Sequence, residues 1–81
     1  MIAALLGTDQ DVRGFALAGV EGHACGTPGE VAEAAAALHA RPDIGLILVS
    51  REVARLAPSE IARLEAVDGP PAVVILPGEA A

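Results

Sequence analysis

The chain has 81 residues, a net charge of −6, 53% hydrophobic residues, five arginines, no lysine and one cysteine. That length admits one domain, residues 1–81, and an acid excess without any basic run excludes nucleic acid and anionic membrane surfaces as partners. A lone cysteine cannot close an internal disulfide, which is the usage of a reducing compartment.

Met1 to Leu6 is an apolar run of a strand buried on both faces. Gly7 follows it at once, where a residue without Cβ lets the backbone turn. Thr8 and Asp11 then stand at the spacing of a reciprocal helix cap. The helix they open, Thr8 to Gly19, carries Val12, Phe15, Ala16 and Gly19 on one face. Phe15 is the only aromatic in the chain, so the core is expected to hang on it. Gly14 and Gly19 are expected to allow close backbone approach, and Gly19 to end the helix.

Glu21 to Gly26 reads as a short edge strand between glycines. Thr27-Pro28-Gly29-Glu30 is the sharpest local signal: threonine caps, proline takes the first helical position and Glu30 completes a capping box. Val31, Ala34, Ala35 and Leu38 form the buried face of that helix, and Glu30, Glu33 and Ala37 the solvated one. It stops near Ala40, because Pro42 disfavours helical geometry at Arg41. Ile44 to Val49 is a continuous apolar run broken only by Gly45, the pattern of a central parallel strand. Ser50 caps the next helix, which Pro58 divides into Arg51 to Leu56 and a second piece reaching about Val67. Residues 68–71 (DGPP) make a turn, Ala72 to Leu76 the last strand, and Pro77-Gly78 its end.

Strands alternating with helices imply an α/β fold, a four-stranded parallel sheet with helices on both faces, and its strand order is expected to be 2-1-3-4. Ligands of such sheets sit beyond the carboxyl ends of the strands. Here that rim holds Gly7 to Arg13, Gly26 to Gly29, Ser50 to Glu52, and Pro77 onward. Asp9 and Asp11 resemble the acidic pair of a response-regulator receiver, but strand three ends in Ser50-Arg51 and no lysine exists to complete that site. Both acids suit a helix N-terminus instead. His23 and Cys25 are two potential metal ligands where a site needs three or four. Cys25 as a nucleophile lacks a base, since His39 stands at the far end of a helix. No phosphate-binding glycine loop is present, and Gly7, Gly14 and Gly19 do not fit a dinucleotide fingerprint. The sequence therefore yields no catalytic residue, no cofactor and no metal site. No apolar stretch reaches membrane-spanning length, and Met1 is not followed by the basic start of a signal peptide, so a cytoplasmic location is expected. So high an apolar share on so small a body also implies a surface that meets a partner.

The segment Gly7 to Val20, with its core GFALAGV at 14–20, resembles the signature of the F subunit of V-type and A-type ATP synthases. The likeness continues through DIGLILVSREVA at 43–54 and PPAVVILP at 70–77, in the family's order and spacing. Gly7, Gly14, Phe15, Leu17 and Gly19 are the motif positions. The resemblance implies a flavodoxin-like three-layer sandwich with no active site. It also implies a central-stalk component bound to the coiled coil of the stalk's D subunit, turning inside the ring of A and B subunits and transmitting torque to the membrane rotor. ATP synthesis or hydrolysis would thereby be coupled to proton or sodium transport, with the chain peripheral on the cytoplasmic face of the membrane. Members of that family usually continue into a C-terminal helical tail, which the sequence, stopping at Ala81, does not contain. Candidate contacts are Arg51, Glu52 and Arg55 at the start of the third helix, Leu76 and Pro77 where a tail would leave, and Arg13 at the rim. The alternative is a stand-alone flavodoxin-like module holding a small ligand at the strand ends.

Overall fold

The computed structural model describes residues 2–77. In chain order the elements are β1 (Ile2–Gly7), α1 (Asp9–Ala16), β2 (Glu21–Ala24), α2 (Pro28–His39), β3 (Ile44–Val49), α3 (Arg51–Leu56), α4 (Pro58–Glu65) and β4 (Ala72–Ile75). The strands are all parallel, as the alternation of elements predicts, and lie in the expected order β2-β1-β3-β4.

The order explains the layers. The chain steps from β1 to β2 in one direction, then crosses back over β1 to β3 and continues outward to β4. Because each crossover is right-handed, the reversal puts α1 on one face and α2, α3 and α4 on the other. The second face holds the main core. Ala4, Leu6, Ile44, Ile47 and Val49 of the sheet meet Val31, Ala35 and Leu38 of α2, Val53 of α3, Ala57 between helices, and Ile61 and Leu64 of α4. Ala4, Ala35 and Ala57 let these layers approach closely, so a small chain fills its interior without large side chains. On the opposite face Leu5 is fully buried, and α1 packs over β1 and β2.

β3 contains an irregularity that its sequence only hints at. Ile2 pairs with Ile44 and Ala3 with Leu46, so Gly45 is an extra residue in the ladder. Such a bulge resets the alternation of side chains. Ile44 and Ile47, three apart, both reach the main core, while Leu46 and Leu48 turn to the side of α1.

The helix starts follow the local chemistry. At α1, the Asp11 N–H donates to Thr8 Oγ1 at 3.2 Å and the Thr8 N–H donates to Asp11 Oδ2 at 3.3 Å, the reciprocal cap that the spacing predicts. At α2, the Glu30 N–H donates to Thr27 Oγ1 at 3.1 Å, but the Glu30 carboxylate reaches the N–H of Gly26, at 2.8 Å, one residue before the cap. The expected box is therefore a one-sided cap with a brace behind it. Ser50 caps α3 through the Val53 N–H. Ala57 precedes α4 with no side-chain cap, and Pro58 starts that helix. Each polar cap is worth about 1 kcal/mol.

Three expectations need correction. The core does not hang on Phe15, which is only partly buried; the interior is aliphatic and lies mostly on the other face. Gly7 turns as expected for want of a Cβ and without a left-handed backbone, positive φ occurring only at Gly19 and Gly69 among the described glycines. Its reason is space, because a Cβ there would stand 3.0 Å from Cβ of Asp11. Gly14 and Gly19 have nothing within 4 Å of an added Cβ, so neither marks a close approach inside the chain. α1 also ends at Ala16, short of Gly19, and is followed by a turn in which Gly19 takes φ +78.

Candidate functional site

The rim at the carboxyl ends of β1 and β2 forms a recess of about 390 Å³ lined by Thr8, Asp9, Ala24, Cys25, Gly26 and Glu30. It exists because β1 ends in Gly7 and β2 runs on to Cys25, whose N–H donates to the Gly7 carbonyl at 2.9 Å. Its charged side chains are carboxylates, so it repels the phosphates that such rims commonly hold. Burial pushes the Cys25 thiol above its ordinary value of 9.0, and the Glu30 charge adds to this. A thiol so placed stays protonated at neutral pH and is a poor nucleophile. Its Sγ–H faces the carbonyl of His23 at 3.6 Å. No group of three or more His, Cys, Asp or Glu among the described residues is arranged to hold a metal ion.

The candidate contact residues fall into two groups. Arg51, Glu52 and Arg55 are exposed on α3. Leu76, half-buried, lies beside them, because its N–H donates to the carbonyl of Val49 just before Ser50. Pro77 follows, exposed. All five lie near the carboxyl ends of β3 and β4, the α3 residues on the main-core side of the sheet and Leu76 in register with Ala72 and Val74. Arg13 does not join the α3 residues: it projects from α1, on the other side of the sheet. Of the motif residues, Gly7 is buried and Phe15 half-buried, whereas Gly14 and Gly19 are exposed and Leu17 is 92% exposed. A leucine so bare serves nothing inside the chain, and a glycine in the open at mid-helix lowers helix stability by about 1 kcal/mol relative to alanine.

A charged cluster stands at the opposite end of the sheet, where the residue pattern points to none. Arg41, in the loop after α2, donates through Nη2 to Asp43 Oδ2 at 2.9 Å and through Nη1 to Glu21 Oε2 at 2.6 Å. His23 Nε2 lies 2.8 Å from the same Glu21 oxygen. Sequence could have offered Arg41 with Asp43 across Pro42, but Glu21 is brought in only by the β2-β1-β3 order. The Arg41 guanidinium, followed by His23, holds the Glu21 carboxyl below its ordinary 4.5, and Arg41 holds Asp43 below 3.8. Carboxyls depressed in the folded state add stability above their ordinary values and lose it as pH falls through the folded ones. An Arg41→Gln variant should therefore be less stable than the wild type at neutral pH, with the gap closing on acidification. Urea midpoints across that range measure this; a gap that widened in acid would contradict it.

A second recess, about 310 Å³, lies between α2 and α4 and is lined chiefly by Ala32, Ala36, His39, Arg63 and Val67. No helix among the described residues is long and apolar enough to cross a membrane.

Comparison with known proteins gives two findings. The sequence model of the ATP synthase (F/14-kDa) subunit family matches residues 3–81. The crystal structure of the F subunit of the V-type ATP synthase from Archaeoglobus fulgidus superposes with a TM-score of 0.76 at 22% identity, covering 94% of this chain and 96% of that one. At that identity the likeness speaks for the fold. None of the curated proteins matches.

Proposed function

The chain belongs to the family of ATP synthase (F/14-kDa) subunits, and on that premise we propose that it is a non-catalytic central-stalk subunit of a V-type or A-type ATP synthase. In this reading residues 1–81 are one unit bound to the coiled coil of the D subunit of the central stalk. The pair turns within the A/B ring on the cytoplasmic side of the membrane and links ATP synthesis or hydrolysis to proton or sodium movement. The family match along nearly the whole chain carries the proposal. The chemistry of the rim supports it: an acidic recess and a protonated, buried thiol offer neither a phosphate cradle nor a nucleophile.

Co-expression with the D subunit from the same genome is expected to give a one-to-one heterodimer, measured by light scattering after size exclusion. Recovery of two separate monomers would sink the stalk reading. The competing reading, a small-ligand module, requires that a flavin, a nucleotide or phosphate raise the thermal midpoint of the isolated chain; no such shift is expected.

A further inference from the structure

On the side of the sheet that carries α1, the helix covers β1 and β2 and leaves β3 and β4 bare. Leu46 and Leu48 of β3 point to this side, and the register of β4 puts Ala72 beside Leu46 and Val74 beside Leu48. Leu46 and Leu48 are half-buried, Ala72 is exposed and Val74 is 45% exposed. We propose that this strip receives one amphipathic helix of another polypeptide, apolar toward the sheet and basic along its margins, lying beside α1. The inference rests on the stalk reading and names the surface through which the partner is held.

The shape of the occupant follows from the edge and the width. The Leu76 N–H bonds inward to β3, so residues 72, 74 and 76 face β3 and residues 71, 73, 75 and 77 face outward. Two of the outward four, Pro71 and Pro77, have no N–H. An added strand would find donors only at Val73 and Ile75, which shortens the edge available for sheet extension. The face, in contrast, is open. Two strands are about 10 Å wide, the diameter of one helix.

The wall of the groove is α1. Asp9 lines the recess at the end of β2, so the flank of α1 carrying Asp9 and Arg13 is turned away from β3. Gly14 falls on the other flank, toward the strip, and an added Cβ there meets nothing within 4 Å. A missing side chain at that position lets a neighbouring helix lie close to α1, which is a reason for a mid-helix glycine that the chain itself does not supply.

The sign of the partner follows from where the arginines are. Arg51, Arg55 and Arg63 belong to α3 and α4 on the opposite face, Arg41 is held by Glu21 and Asp43, and Arg13 is on the far flank of α1. Among the described residues the strip has no cation beside it, on a chain of net charge −6, so a helix margined with lysine or arginine is complementary. The same charge disfavours a second copy.

The test titrates the purified coiled coil of the D subunit into the full chain and three variants. Val74→Glu and Gly14→Leu should each weaken binding about tenfold or more, and Ala32→Glu, on the opposite face, should not. Gly14→Leu should at the same time hold or raise the thermal midpoint, because leucine is the better helix former; it therefore tests the groove even if Val74→Glu fails to fold. Wild-type affinity should fall as salt is raised, and salt independence would overturn the basic margin. Wild-type binding by both strip variants overturns the groove and leaves the stalk reading standing. If the wild type itself does not bind, the stalk reading fails and the occupant with it. A wild-type homodimer that Val74→Glu dissolves would assign the strip to a second copy and overturn the proposal.

Discussion

Replacing Leu6 by alanine is expected to remove most of the stability of the fold. Leu6 is fully buried in the main core, on the central strand β1 and flanked by neighbours on both sides of the ladder. A leucine-to-alanine change at such a site removes about 2–5 kcal/mol, through lost transfer energy and the cavity that remains. A chain of this size holds only about 4–12 kcal/mol in total. The surrounding alanines, Ala4, Ala35 and Ala57, cannot swing into the space as longer side chains could, so the upper part of the range applies. The measurement is urea unfolding followed by far-ultraviolet circular dichroism, since the chain contains neither tryptophan nor tyrosine. Leu17→Ala is the control. It removes the same atoms from a side chain that touches almost nothing, and should change stability by about 0.5 kcal/mol or less. Equal losses at the two positions would mean that the layers are not arranged as described.

The second large effect is expected at Gly22. A Cβ added there would stand 2.8 Å from Cγ1 of Val12 and 3.1 Å from its Cγ2. Valine in a helix is confined to essentially one rotamer, so the side chain cannot turn aside and α1 must lift from the sheet. Overpacking of this kind costs about 1–3 kcal/mol. Lifting α1 also uncovers Leu5, which that helix shields. Gly22→Ala should therefore lower the urea midpoint, and Val12→Ala in the same chain should restore much of the loss, although Val12→Ala alone is itself destabilising. A double-mutant cycle gives the coupling directly. Simple additivity of the two changes would show that the clash is not the cause.

Much of this architecture is legible in the residues because local signals agree with the tertiary arrangement. Thr8, Thr27 and Ser50 mark three helix starts, Pro58 marks a fourth, and the apolar run from Ile44 to Val49 is the strand that its composition suggests. Alternation and handedness give a parallel sheet with right-handed crossovers; the order 2-1-3-4 is one of several that they allow. What is not legible depends on contacts distant in sequence. Phe15 attracts attention as the largest side chain, but α1 covers only half of its face and the main core forms on the other. Gly22, unremarked in the sequence, is the glycine with the tightest need for space, and nothing short of the Val12 contact shows it. The candidate surface divides in the same way. Arg51, Glu52, Arg55, Leu76 and Pro77 share one end of the sheet because β3 and β4 end side by side, and Arg13 is separated from the α3 residues by the thickness of the sheet. Glu21 meets Arg41 only through the crossing of α2 over β1.

Gly45 decides more than the local course of one strand. By standing outside the ladder it keeps Ile47 and Val49 on the inner side with Ile44 and puts Leu46 and Leu48 on the other, so the partition of this strand between its two faces is made at a residue that has no side chain. Were Gly45 paired in the ladder rather than bulged out of it, the two sets would be exchanged from Leu46 onward. The domain would present isoleucine and valine where it now presents leucine. Interior and exterior of this sheet are thus two readings of the same apolar run, offset by one position.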